Sequence, residues 1–384
     1  MIDTIVMILE KEQFRIDKPE RFNPNAKLIN KYDEFRGNGE IKFIYNPSLK
    51  EQEKAYYPRL TLSKRSFSTG GFKINLKIEF SIPKLVFGNN FDELEENDFN
   101  NVLETLFKRL EEMEIYIAKE ILINAYIQKI DYSKNVILDK YTTCSMVISQ
   151  LSKLNTNKRL DVAQTKYKNE GQSITYHSSS FELTFYDKVK DLEQSKSFGE
   201  KRSMEVDNQY CPDLFHYTNY KEKVEEKHLE VLRFEGRFSR TKLKSLFKKL
   251  NINANLTFKE LFNKDIARKI LLYYWSEIIE DLHIMNFDTK NIGNLIKCIK
   301  NYSNNTTTNK ISKLIGIIAT IQSIGSRATR IELKIPDYQW YSLQKEIKAI
   351  ESDKTNYSFL AIYEFGKKLE EFKALKLKDC RLKN

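Results

Sequence analysis

Apolar and polar residues alternate strictly from Phe72 to Phe80. Phe72, Ile74, Leu76, Ile78 and Phe80 fall on one side and Lys73, Asn75, Lys77 and Glu79 on the other, the period of a half-buried strand. Arg59 to Ser63 reads the same way, and Gly70-Gly71 supplies a turn between the two runs. Beyond Pro83 the period lengthens. Leu103, Leu106, Phe107, Leu110 and Met113 fit a helix within 91–120. Strands are predicted over 123–138, 159–166, 173–188 (with an inner turn at 178–180) and 228–239, and helices over 142–154 and 257–284. The charged stretch 193–227 reads as a helix and a surface loop. A polar run makes 301–310 a linker. After it, helices over 310–323, 337–350 and 358–372 surround a short strand at 330–335. Strand blocks separated by single helices predict an α+β fold. Its centre is a mostly antiparallel sheet with helices on one face, leaving the other free for a ligand. The expected division is a catalytic domain over 1–300, the linker, and a smaller, mainly helical C-terminal domain over 311–384, a candidate DNA-binding unit.

Three of these strands carry chemistry on their polar side. Glu182, Thr184 and Tyr186, with Lys188 beyond them, oppose Phe181, Leu183 and Phe185. Arg233, Glu235 and Arg237 oppose Leu232, Phe234 and Phe238, and Lys129 projects with Asp131. If the strands pair, one face gathers acids, bases and a phenol. Carboxylates suit a hard divalent ion. Such an ion polarises a phosphoryl oxygen, Arg and Lys neutralise the developing charge, and a tyrosine can be the nucleophile. The same pattern is also what a solvated face with cross-strand ion pairs shows.

Composition narrows the partner. Lys plus Arg is 64 against 53 for Asp plus Glu, a net charge of +11, which favours a polyanion such as nucleic acid. An AT-rich coding sequence would also raise Lys. Four separated cysteines build neither a zinc knuckle nor a disulfide framework and suit a reducing cytoplasm. The first ten residues, with Asp3 and no basic start, do not read as a signal peptide. No run reaches the ~20 apolar residues of a membrane span, so no membrane partner is expected. No Gly-rich phosphate loop is present.

The chain resembles the phage and plasmid replication proteins of the gene II/X family, the rolling-circle initiators of filamentous phages. The likeness rests on Met1-Ile2-Asp3, on the run from Ile82 to Phe91 (Ile-Pro-Lys-Leu-Val-Phe-Gly-Asn-Asn-Phe), on Ile130 to Asn135, on Phe185-Tyr186-Asp187-Lys188, on Leu232 to Phe238, and on a block from Thr306 to Ile350 with Trp340 near its end. It implies a relaxase-like catalytic domain that nicks one DNA strand, holds the 5′-phosphate on a tyrosine and later reseals the strand. By motif position the tyrosine is Tyr186, and Asp131 and Glu235 are metal ligands for Mg2+ or Mn2+. Lys188 is the candidate contact to the scissile phosphate, and Lys129, Arg233 and Arg237 are candidate DNA contacts. The implied partners are origin DNA, single-stranded DNA, and a host helicase and polymerase in a bacterial cytoplasm. The paired histidines usual in relaxase-like nickases are missing. His177 and Glu182 are the candidates to complete the ligand set. Two other readings stay open: a non-catalytic DNA-binding copy-control protein, and a metal nuclease using water.

Overall fold

The structure is a computed structural model that describes residues 1–30, 39–45, 55–67, 71–139, 142–154, 161–168, 173–194, 229–280, 282–285, 287, 289–302, 307–350 and 360–380. The strands are β1 (Ile2–Glu10), β2 (Arg15–Ile16), β3 (Phe22–Asn23), β4 (Glu40–Tyr45), β5 (Arg59–Ser66), β6 (Phe72–Ser81), β7 (Ile115–Tyr116), β8 (Ile127–Ile137), β9 (Asp161–Lys168), β10 (Ser173–His177), β11 (Phe181–Asp187) and β12 (Val231–Ser239). Ten of them form one sheet in the order β3-β4-β5-β6-β1-β8-β12-β11-β10-β9. Every neighbouring pair is antiparallel.

The period-two pattern explains the sidedness. Leu76, Ile78, Phe80, Phe185, Phe234 and Phe238 are fully buried on one face. The helices pack there: Phe258 lies edge-on to Phe80, Tyr274 stacks on Phe238, and Trp275 and Phe365 meet Phe185. The expected α+β architecture is therefore present. Helix Leu360–Glu371, which carries Phe365, closes on β8 and on helices Cys144–Lys153 and Lys264–Ile278, so the core runs continuously from β1 to Phe372.

Several boundaries differ from the sequence expectation. The helix expected over 91–120 spans only Phe99–Glu112: a capping box of Glu95 and Asp98 precedes it, and Glu114 at φ 61° follows its end. The pattern over 257–284 divides into Phe258–Leu261, Lys264–Ile278 and Leu282–Met285. Helices reach Tyr302 and restart at Thr308, which takes both ends of the expected 301–310 linker. The strand expected at 330–335 is a helix, Ser326–Glu332, followed by Lys334 at φ 50°. Its alternation misled because Ile331 and Leu333 are both exposed. Gly70 and most of 193–227 lie outside the described residues. Among the described residues no helix is long and apolar enough to cross a membrane.

Candidate functional site

The pairing of β8, β12 and β11 sets the polar residues of the open face in three rows. Asp131 faces Arg237, which faces Glu182; Ser133 faces Glu235, which faces Thr184; Asn135 faces Arg233, which faces Tyr186. His177 extends the first row, opposite Glu182 on one side and Asp161 on the other. Lys129 lies two residues beyond Asp131, opposite Ser239.

A fourth strand adds a carboxylate that sequence reasoning did not assign. Between Ile2, opposite Tyr132, and Ile5, opposite Ile130, β1 has two residues where β8 has one. This bulge turns Asp3 onto the open face against Arg233, whose Nη2 is 3.0 Å from Asp3 Oδ1. The alternation of β1 gave no sign of it; the one signal was its place in the opening Met1-Ile2-Asp3.

Tyr186 Oη donates a hydrogen bond to Glu235 Oε2 at 3.1 Å. Arg237 Nε donates to Asp131 Oδ2 at 3.0 Å, and its other nitrogens stand 3.7 Å from Glu235 Oε1 and Glu182 Oε1. One arginine thus bridges three acids, and Asp131 and Glu235 lie on the face away from Phe181, Leu183 and Phe185. Arg237 is 40% exposed, whereas Arg233 is 2% exposed. Expected on DNA, Arg233 is instead held inside by Asp3, Glu235, Ser133 Oγ and the carbonyl of Asn90. It is a strut of the site. Lys188, the expected phosphate contact, is also wholly buried. Its Nζ is 2.9 Å from Asp191 Oδ2 and lies over the Tyr186 ring at 5.6 Å. His177 Nδ1 lies 3.5 Å from Glu182 Oε2 at the outer end of the row.

The run from Ile82 to Phe91 frames one edge. Asn89 Oδ1 accepts from the backbone of Phe91 and Asp92, and the Asn90 carbonyl meets Arg233. Glu93 accepts from the backbone of Asn135 and Leu375 and pairs with buried Lys134. The motif and the residues just after it therefore hold Arg233 and Asn135 in place on the site face.

Crowding of acids sets the electrostatics. Burial, reinforced by Glu235, pushes the Asp131 carboxyl up to about 7. Burial and the Asp3 charge also raise Glu235. Burial pushes Asp3 up too, but Arg233, Lys188 and Lys84 outweigh it and hold Asp3 below the usual carboxylate range. Burial holds the Tyr186 phenol well above its ordinary value, with Glu235 adding to the rise against the pull of Arg233. Asp3 Oδ1 and Asp131 Oδ1 are buried and accept no hydrogen bond. Asp3 Oδ1 is nonetheless ion-paired with Arg233, which leaves Asp131 Oδ1 as the orphaned oxygen, and an orphaned carboxylate oxygen among crowded acids suits a divalent cation. Among the described residues, the trio whose ligand atoms all lie within 4.8 Å is a different one, Cys144, Asp187 and Glu230. Helix capping accounts for both of its acids: Glu230 accepts from the Cys144 N–H and Asp187 from the Lys190 N–H. Asp131, Glu235 and Asp3 stand further apart, with the two arginines among them.

Residues 1–261 match the family of the N-terminal part of the phage replication-associated protein of gene II type, a span that contains all four site strands. No curated protein and no solved structure matches the chain.

Proposed function

The chain belongs to the family of gene II-type replication-associated proteins of phages, and from that membership we propose that it initiates rolling-circle replication by nicking one DNA strand through Tyr186 and later rejoining it. The observation that carries this reading is the Tyr186–Glu235 hydrogen bond on the polar face of the sheet, with two more carboxylates beside it. A phenol held above pKa 10 is not a nucleophile until its proton has somewhere to go. Glu235 Oε2 is already the acceptor, and its raised affinity for a proton fits that role. As Tyr186 Oη bonds to phosphorus, its proton passes to Glu235, the bond to the 3′-oxygen breaks, and that oxygen takes up a proton from solvent. Rejoining is the reverse, with the 3′-hydroxyl attacking the phosphotyrosine.

Asp131 and Glu235, with Asp3 beside them, would hold magnesium or manganese. Such an ion supplies a Lewis acid to the phosphoryl oxygen. Arg237 now neutralises these acids, and its exposed head would be the group to meet a DNA phosphate were a cation to neutralise them instead. Lys188 stays beside Tyr186 and favours the phenolate through charge. His177 and Glu182 extend the polar row toward the strand entering or leaving, and Lys129 does the same at the other end. An origin sequence with single-stranded character is the substrate this face fits, with a helicase and a polymerase acting after the nick.

The test is direct. Protein, magnesium or manganese and single-stranded origin DNA are mixed, and the product is run under denaturing conditions. A covalent adduct that disappears in Tyr186→Phe, with DNA binding kept, is the expected result. Cleavage without an adduct would make water the nucleophile; binding with no cleavage at all would leave a copy-control protein.

A further inference from the structure

The helix that follows β12, Arg240–Leu250, carries Arg240, Lys242, Lys244, Lys248 and Lys249 and no acid. Leu243, Leu246 and Phe247 are buried, which leaves Thr241, Lys244, Ser245 and Lys248 together on the exposed face. Two features of this helix work against its own stability. Lys244 and Lys248 are four residues apart, where like charges repel. Arg240 and Lys242 sit in the first turn, where the helix dipole disfavours cations. Lys248 and Lys249 do suit the last turn, so the unfavourable features are the first-turn cations and the 244/248 pair, the kind of local conflict found at functional surfaces.

The other cations of the helix are engaged. Lys242 lies over the Phe181 ring at 4.2 Å, and Lys249 over Tyr273 at 4.5 Å with Glu277 at 3.9 Å. Lys244 and Lys248 have no ion-pair partner among the described residues. At the head of the helix, Arg240 stacks over Tyr126 at 4.8 Å, and its buried Nε has no hydrogen-bond partner. Tyr126 is 56% exposed. The helix packs on the apolar face, where Lys242 meets Phe181, and its head leaves the sheet at the end nearest Asp131. Ser239, the residue before Arg240, pairs with Lys129, which shares the open face with Asp131.

We propose that Tyr126 with Arg240, followed by Lys244 and Lys248, binds single-stranded DNA that continues past the nicking site. An aromatic ring backed by a guanidinium offers its free face to an unpaired base, and the two lysines meet successive phosphates. A duplex keeps its bases stacked and could not use Tyr126. The location beside a nicking centre rests on the function proposed above, but the surface itself is judged by binding alone.

The experiment measures binding of the full chain to fluorescent oligothymidylates of increasing length, and to a duplex for comparison, across a salt series. Each phosphate contact to a single strand contributes about 0.7 to the slope of log affinity against log salt. Lys244→Gln/Lys248→Gln should therefore flatten the slope by about 1.4 on long oligonucleotides and leave the shortest unaffected. Tyr126→Ala should weaken long-oligonucleotide binding about tenfold. Lys244→Arg/Lys248→Arg should restore the parent slope, and all variants should melt no lower than the parent. Unchanged slope and affinity in both the lysine-to-glutamine and the Tyr126 variants would overturn the proposal. So would a loss confined to duplex DNA. If Tyr186 forms no adduct, the nicking reading fails while this measurement stands.

Discussion

Asp131 has a carboxyl pushed up to about 7 by burial and by Glu235, against 3.8 in the unfolded chain. Between those values the folded protein binds the extra proton, so its stability falls as pH rises, by at most about 1.4 kcal/mol per pH unit for one group. Above the folded value the loss stops growing. In chelator, then, the melting temperature should decline from pH 5 to pH 7, and Asp131→Asn should make the decline shallower, with Glu235 and Asp187, also raised by burial, supplying the rest. An Asp131→Asn protein with the parent's full pH slope would show that another group is responsible. Magnesium or manganese should rescue the parent at pH 8 and not the variant. Asp131, Glu235 and Tyr186 were legible in the sequence because each lies on the polar side of a regular strand. Asp3 was not, because its direction comes from a bulge, and a bulge is a property of two strands that neither sequence shows alone. Nor was the burial of Arg233, which depends on the loop at Asn90, over a hundred residues away in the chain.

At the scale of an element, helix Leu360–Glu371 sets two rules against each other. Gly366 lies inside it, and glycine in a helix costs about 1 kcal/mol relative to alanine. Helix propensity alone makes Gly366→Ala stabilising. Yet a Cβ there would lie 2.8 Å from Trp275 Nε1, in a ring packed against Phe365 and Phe185. Overpacking of this kind costs about 1–3 kcal/mol, so the expected result is a net loss of stability in denaturant unfolding. A gain would mean that Trp275 has room to shift. The same contrast explains which elements could be read. Strands with one buried face, such as β6 and β11, announce themselves by alternation. The segment at Ile331 and Leu333 alternates too, but both side chains are exposed, so the pattern carried no information about a core.

For the whole molecule, the question is whether the C-terminal helices stand apart. Phe365 meets Phe185 on the back of the Tyr186 strand, and the Leu375 and Leu377 amides bond Glu93 and Asp92. A chain ended at Tyr302 would expose Phe185 and Trp275 and strip two partners from the loop that supports Arg233. We expect that chain to be insoluble, or soluble and unable to nick. Efficient nicking of a short single strand by it, with preference for duplex origin DNA lost, would instead make 311–384 a separable DNA-binding unit. The antiparallel sheet was foreseeable from local pattern. The reach of residues 360–377 back to it was not, since their apolar periodicity says only that they have a buried face and not what covers it.

The bonds from Leu375 and Leu377 to Glu93 and Asp92 also bear on time. They join residues 282 and 285 positions apart in the chain. Contacts of such separation close slowly, and during synthesis they cannot close until their second partner has been made. The strands that carry Asp3, Asp131, Tyr186 and Glu235 are all translated before helix Leu360–Glu371, so the sheet can assemble while the loop behind Arg233 is still unsupported. On the nicking function proposed above, a nascent chain should then hold a folded but idle site, and DNA cutting should appear as a late step, after the sheet is already protease-resistant. Release of chains of graded length, assayed for both properties, would show the two arriving together if the closure has no such timing role.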